Sequence, residues 1–388
     1  MTGDTATSFG PLHSAFTEFP LSVGSSPPNT ASAGTDREPD HTTRWRPVTS
    51  AAMSTPPTGV TFASFQALGL DVGRSIARLA RDMGYRSYWT AETVGQEAFA
   101  TLGAIAAEVG GLDLGTGVLA VQLRTPMLAA MGAATLQSLA PDRDILLGVG
   151  ISSPVVVGRW HGARYGEAPV RQMREYLELT RSCLDGDAVS HDGEFYATDR
   201  FRLGVRLEGR RPKLVLGALN ERMLRLAGEA ADGVLLNYLP ATAVPWCIEQ
   251  VRAGEAAAGR ATGSCTVFAY VHVGVCDPGP ARGPARKDLF SYAVVPAYAN
   301  AFTRAGFGAE VDAVQAAHAA RDREGAVAAI SERMVDAIDI CGDAAHVAAA
   351  VQAYRDAGVD HPVLMPLPWG PDRVVTLEAT LDAARPGS

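Results

Sequence analysis

Lysine is nearly absent from this sequence: of 34 basic residues, only Lys213 and Lys287 are lysine. The basic residues form no block, and the net charge is −8. The clustered basic face of a nucleic-acid-binding protein is therefore missing. No apolar run reaches the ~20 residues that a membrane-crossing helix requires. The N-terminus carries acidic and small polar residues in place of a basic region followed by an apolar segment, so it does not read as a secretory signal. Cysteine is scarce too, and Cys183, Cys247, Cys265, Cys276 and Cys341 lie far apart in sequence. They lack the short spacings of a zinc site or a dithiol motif, so lone buried thiols in a reducing compartment fit best. We expect no metal centre and a cytoplasmic location.

What the chain does have is apolar mass. With 388 residues, 47% of them hydrophobic, it can bury a large core in one or two domains. Residues 1–55 are the exception, with SVGSSPPNTASAGTDREPDH at their centre and no periodic apolar residues. A disordered tail is expected there, ahead of one domain over 56–388. Met53, at the end of that stretch, is a candidate for the true first residue.

The most informative segment is KLVLGALNERMLRLAGEAADGVLLN, Lys213 to Asn237. Leu214 to Leu216 reads as a strand buried on both faces. Gly217 to Asn220 breaks it, and Asn220 suits a helix N-cap. Met223, Leu226, Ala227 and Ala230 then recur at helical spacing, and Gly233 to Leu236 is a second strand. The first turn of this βαβ unit presents unpaired N–H groups where its helix starts, which suits an anion.

The same alternation runs through the rest of the domain. Strands are expected at 59–65, 85–89, 112–119, 145–149, 266–275 and 362–365, with helices between them. A hairpin turning at Asp192-Gly193 follows the fourth strand, and a helical insertion fills about 280–339. Eight strands alternating with helices imply an α/β protein with the (β/α)8 TIM-barrel architecture. A doubly wound sheet is the weaker reading, because GVTFASFQALGL offers no GxGxxG in the first βα turn.

Active sites of such barrels lie at the C-terminal ends of the strands. Those ends offer Ser64, Phe65 and Gln66, then Thr90, Glu92 and Thr93, then Gly117, Val118, Gln122 and Arg124, then Gly150, Ser152 and Ser153, and at the sixth Asn237 and Tyr238. No histidine stands at the first six ends, and only Glu92 is an obvious carboxylate. A metal cluster, a nucleophilic triad and a two-carboxylate glycosidase are thereby disfavoured. A small, neutral mouth suits a flat cofactor that brings its own reactivity.

WTAE at the second strand, LGTGVLAVQLRTP at the third, ILLGVGIS at the fourth and LGALNERMLRLAGEAADGVLLN together resemble the luciferase-like monooxygenase superfamily. They resemble in particular its oxidoreductases that depend on the deazaflavin coenzyme F-420. The resemblance covers residue 59 to the C-terminus. It implies hydride transfer between coenzyme F-420 and a small or mid-sized organic substrate. It also implies a cis peptide at Gly117–Val118 behind the ring, Ile151 and Ser152 at the ring edge, and the phosphate at the amides around Leu219 and Asn220. Phe65, Gly150, Gly217 and Ala218 complete the expected cofactor set, and a homodimer is expected with it.

Relatives often carry histidine near Glu92, so Glu92 becomes the candidate acid, with helix capping or pairing to Arg124 as its other roles. The rival within the family is an FMN-dependent monooxygenase served by a partner reductase. A non-catalytic barrel and a hydrolase are the readings outside it. The insertion, with Tyr292, Tyr298, Phe302 and Phe307, either shapes the substrate pocket or packs as core.

Overall fold

The computed structural model describes residues 56–387. The tail over 1–55, and Met53 with it, lies outside them. Eight parallel strands form the barrel: β1 (Gly59–Thr61), β2 (Ser87–Thr90), β3 (Asp113–Thr116), β4 (Ile145–Gly150), β5 (Lys213–Gly217), β6 (Gly233–Leu236), β7 (Thr266–Val275) and β8 (His361–Pro366). Each pairs with the next, and β8 pairs with both β7 and β1, so the ring closes without an edge.

Period two decides which side chains fill the barrel. Leu146, Val215, Leu235, Phe268, Tyr270 and Val363 point inward and pack on Trp89. The residues between them, such as Leu147, Leu214, Leu216 and Val234, point outward into the helical layer. Both faces are buried, and for that reason the strands read as unbroken apolar runs.

Helices α1 (Leu70–Asp82), α2 (Ala98–Glu108), α3 (Pro126–Leu139), α4 (Pro169–Asp185), α5 (Glu221–Ala230) and α6 (Val244–Ala257) follow the first six strands in turn. After β7 come α7 (Pro278–Ala293), α8 (Pro296–Phe302), α9 (Gly308–Ala319), α10 (Arg323–Ala328) and α11 (Glu332–Ile338). A short strand, Ile340–Gly342, then pairs with β7. Helices α12 (Ala344–Asp356) and α13 (Arg373–Ala383) flank β8. The helices after β7 have a core of their own, in which Phe302 and Phe307 are buried. Tyr238 and Trp369, from the ends of β6 and β8, belong to that core. The insertion therefore sits on the C-terminal face of the barrel.

Several boundaries differ from the sequence reading. The first strand ends at Thr61, and a 3-10 helix over Ala63–Leu68 follows. The third strand is interrupted after Thr116 and resumes at Leu119–Ala120. The hairpin pairs Val189–Asp192 with Ala197–Phe201, so its loop spans four residues, 193–196, where a tight two-residue turn was expected. The Glu175 carboxylate accepts the N–H groups of Glu194, Phe195 and Tyr196, and this anchors the longer loop.

Candidate active site

Three adjacent strands carry glycine at inward positions of the mouth: Gly117 after β3, Gly148 and Gly150 on β4, and Gly217 on β5. The Gly117–Val118 peptide is cis, at the position implied by the family resemblance. A Cβ at Gly117 would overlap the Tyr270 hydroxyl, and one at Gly148 would overlap the Thr116 carbonyl. The Val118 side chain occupies the space that these small residues leave and lies over Gly150 and Gly217. Tyr270 crosses the barrel beneath it and donates to the Gly117 carbonyl at 3.1 Å. The Thr61 hydroxyl in turn lies 3.3 Å from the Tyr270 oxygen. The result is an apolar shelf in which the Val118 side chain is seated on Gly150 and Gly217.

The shelf leads to the start of α5. Asn220 occupies the N-cap position with an extended backbone but makes no capping bond. Its side-chain amide donates to the Ala297 carbonyl at 3.0 Å instead. Arg304, from the insertion, donates to the Leu219 carbonyl at 2.6 Å and faces Asn220 Oδ1 at 3.4 Å. It also stacks on Trp246 at 4.0 Å from the ring centre. The Met223 N–H turns back to the Asn220 carbonyl at 3.0 Å, and the N–H groups ahead of it have no side-chain cap, beside the Arg304 guanidinium and the Glu221 carboxylate of the same turn. The Ala218 N–H is already used by the Leu235 carbonyl at 3.2 Å.

The other expected residues are divided. Ile151 is half-buried next to the shelf, and Ser152 is exposed in the left-handed region with φ 55°. Phe65 does not join them. It is 1% exposed and packs edge-on against Phe62 at 5.0 Å in the core beneath the helices. The 3-10 turn after β1 rotates it inward, and an apolar residue in an expected strand gave no warning of that turn.

Glu92 is engaged on both oxygens. Oε2 accepts the Ala98 N–H at 3.0 Å and Arg124 Nη2 at 3.0 Å, while Oε1 faces Arg124 Nε at 3.3 Å. Arg124 also pairs with Glu97. The two alternative roles, helix capping and pairing with Arg124, are both filled. His161, on the loop after β4, reaches the Thr93 carbonyl at 2.5 Å, while Trp160 stays 55% exposed.

The wall opposite the shelf is polar, and three of its residues, His272, Asp288 and Asp339, were not singled out from the sequence. His272 on β7 is 1% exposed; its Nδ1 lies 2.9 Å from Asp339 Oδ1 and its Nε2 lies 2.8 Å from Asn237 Oδ1. Tyr238 stacks edge-on against His272 at 4.2 Å and donates to Asp288 Oδ2 at 2.8 Å. Burial pushes the Asp339 carboxyl well up and the His272 imidazole down to about 4. Burial and the nearby Asp339 raise Asp288 to about 6. Each of the three acids and bases offers an atom within 4.8 Å of the others. His272, Asp288 and Asp339 lie on or beyond the seventh strand, outside the first six strand ends, and a histidine inside the apolar run TVFAYVHVGV gives no periodic signal.

Sequence comparison completes the assignment. The luciferase-like monooxygenase family matches residues 41–361. The chain belongs to this family. It is 28% identical over 308 residues to 5,10-methylenetetrahydromethanopterin reductase of Archaeoglobus fulgidus, covering 78% of this chain and 91% of that one. It is 27% identical over 301 residues to a putative coenzyme F-420-dependent oxidoreductase of Mycobacterium tuberculosis, covering 72% of this chain and 86% of that one. Among solved structures, the coenzyme F-420-dependent tetrahydromethanopterin reductase of Methanopyrus kandleri superposes with a TM-score of 0.70 at 21% identity, covering 86% of this chain and 98% of that one. The monooxygenase RslO1 of Streptomyces bottropensis superposes with a TM-score of 0.61 at 18% identity, covering 84% of this chain and 98% of that one. These two likenesses establish the luciferase-like barrel fold.

Proposed function

We propose that this enzyme is an oxidoreductase that passes a hydride between coenzyme F-420 and a small or mid-sized organic substrate. The observation that carries the reading is the continuity of the Val118 shelf with the uncapped start of α5 beside Arg304. A flat ring needs a wall without long side chains, and Gly150 and Gly217 let Val118 seat against β4 and β5 as that wall. A phosphate linked to the ring needs N–H donors and positive charge, which the first turn of α5 and Arg304 offer. The chemistry of these residues therefore fits the group. The name of the Mycobacterium tuberculosis relative, at 27% identity, supports the deazaflavin branch.

When bound, the reduced coenzyme supplies a hydride at ring carbon C5. The chain supplies the rest. Gly117, Val118, Gly150 and Ile151 would hold and orient the ring, with Ser152 at its edge. Gly217, Ala218, Leu219 and Asn220 shape the turn that receives the phosphate, and Arg304 joins that set. Glu92 positions the loops after β2 and β3 through Arg124, and the geometry favours that role over proton donation. In this reading the enzyme acts in the cytoplasm, as a homodimer, on a freely diffusing substrate.

A second reading is an FMN-dependent monooxygenase fed by a partner reductase, and the shared fold with RslO1 favours it. Titration of the purified protein with coenzyme F-420 and with FMN, followed by ring fluorescence, separates the two. Micromolar binding of coenzyme F-420 alone is the expected result. Tight binding of FMN alone would overturn the deazaflavin assignment.

A further inference from the structure

Reduction of a C=C or C=N bond consumes a proton as well as a hydride, and the proposed site must supply it. Glu92 is committed to Arg124 and Ala98. The opposite wall carries the groups that fit. Strands β3 and β7 are four apart in a ring of eight, so they face each other across the barrel. Tyr270 on β7 spans to the Gly117 carbonyl. His272, two residues further along the same face, therefore stands one layer nearer the mouth, across from the shelf.

Asn237 Oδ1 accepts the Tyr238 N–H at 3.0 Å, which identifies that atom as the oxygen. His272 Nε2, 2.8 Å from the same oxygen, must then carry a hydrogen. The contact between Nδ1 and Asp339 holds one shared proton, and burial of both groups favours the neutral form. Asp339, His272, Asn237 and Tyr238 thus form one chain of hydrogen bonds. That chain holds Tyr238 with φ 51°, a left-handed conformation that bulky residues rarely adopt. In this position the Tyr238 hydroxyl donates to Asp288 Oδ2, so a proton held by Asp288 sits on Oδ1.

We propose that Asp288 Oδ1 donates the substrate's proton, with Tyr238, Asn237, His272 and Asp339 as the residues that position it. This rests on the oxidoreductase reading. The hydride adds to the electron-poor carbon of the substrate, and the electron pair of the double bond moves to the other atom, which takes the proton from Asp288. The carboxylate left behind keeps the hydrogen bond from Tyr238 and recovers its proton from solvent, since Asp288 is half-buried where His272 and Asp339 are closed off. The groups facing Asp288 are Asp339 from the end of α11, His272 from β7, Tyr238 after β6, and Tyr292 and Tyr298 from α7 and α8. The pKa of Asp288, raised to about 6, agrees with a group that still holds protons near neutrality.

The test combines an infrared titration of the cofactor-free protein with oxidation of reduced coenzyme F-420 by 2-cyclohexen-1-one and by 1-pyrroline. A carboxylic-acid C=O band should titrate near pH 6 in the wild type and vanish in Asp288→Asn. The same variant should lower the oxidation rate about 100-fold while coenzyme affinity stays unchanged. Asp288→Glu should restore part of the rate and shift its pH profile, and a wild-type rate that falls as pH rises through 6 should become flat in Asp288→Asn. An unaltered rate in Asp288→Asn, or a cofactor-free protein without the titrating band, overturns the proposal. So does a stoichiometric divalent ion that co-purifies with the wild type and is lost in Asp288→Asn. Failure of the wild type to bind the coenzyme overturns the oxidoreductase reading, and this proposal falls with it. Binding with an indifferent Asp288→Asn overturns this proposal alone.

Discussion

Gly228 of α5 and Gly254 of α6 bring the two helices into backbone contact. A methyl group at Gly228 would overlap the Val251 carbonyl, and one at Gly254 would overlap the Arg225 carbonyl. Neither obstacle is a flexible side-chain tip, so the helices themselves must separate. Gly228→Ala and Gly254→Ala should each cost about 1–3 kcal/mol in urea unfolding. Once one substitution has parted the helices the second meets less resistance, so the double variant should cost less than the sum. Full additivity would mean that the two glycines serve separate contacts.

Arg304 should matter for affinity rather than for folding. It is held by the Leu219 carbonyl and the Trp246 ring, and it faces Asn220 Oδ1 at the N-cap position of α5. Arg304→Ala should weaken coenzyme F-420 binding about tenfold, about 1.4 kcal/mol, with little change in unfolding free energy. Arg304→Lys should recover only part of this, since an ammonium cannot keep both the stacking and the forked donors. Fluorescence titration at two salt concentrations checks both points. An unchanged Kd would remove Arg304 from the site.

The barrel was legible in the sequence because each strand of a parallel sheet is buried on both faces and each helix on one. Runs such as LLGVG and KLVLG carry that difference in their apolar period. The turn before α5 was legible as well, from the break at Gly217 to Asn220, but Asn220 suited a cap and makes no capping bond, because its side chain is drawn to the Ala297 carbonyl. Arg304 and Asp288 were not, because they reach the mouth from an insertion whose packing depends on Tyr238 and Trp369, distant in sequence. Phe65 misled for a related reason: an apolar residue at a strand end looks the same whether it faces the mouth or the core. The proton-bearing wall stayed hidden because a buried histidine within an apolar strand gives no periodic signal.

Glu92 provides a separation of roles. Its oxygens are taken by Arg124 and the Ala98 N–H, at a site where both partners are mostly buried. Glu92→Gln keeps an acceptor for Ala98 but loses the charge facing Arg124, which retains Glu97. Stability should fall by about 1 kcal/mol, the upper range for a partly exposed pair, and turnover should stay within about threefold. A loss of about 100-fold or more at unchanged stability would instead mark Glu92 as the proton donor.

The barrel floor sets the acid limit of stability. Trp89 Nε1 donates to Ser87 Oγ at 2.8 Å, which leaves the Ser87 hydroxyl hydrogen for His361 Nε2 at 2.9 Å. The ring therefore accepts at Nε2 and is neutral, and burial pushes its pKa from the ordinary 6.5 down to about 3. Since the folded value lies below the unfolded one, the unfolded chain takes up a proton first as pH falls. The contribution of His361 is complete above about pH 6.5 and declines from there toward pH 3, by up to about 1.4 kcal/mol per pH unit. Asp288 acts in the opposite sense, because its raised pKa lets the folded state bind the proton first. His272, lowered by burial to about 4, acts in the same sense as His361, and the raised Asp339 acts with Asp288, so the wild-type curve mixes several groups and a variant is needed to isolate His361. His361→Gln keeps an acceptor for Ser87 but cannot be protonated. It should be less stable than the wild type at pH 8, and the gap should narrow steadily below pH 6.5 in urea unfolding. A gap that stays constant from pH 8 to pH 5 would show that His361 does not titrate on unfolding, and the acid limit would then lie with other groups.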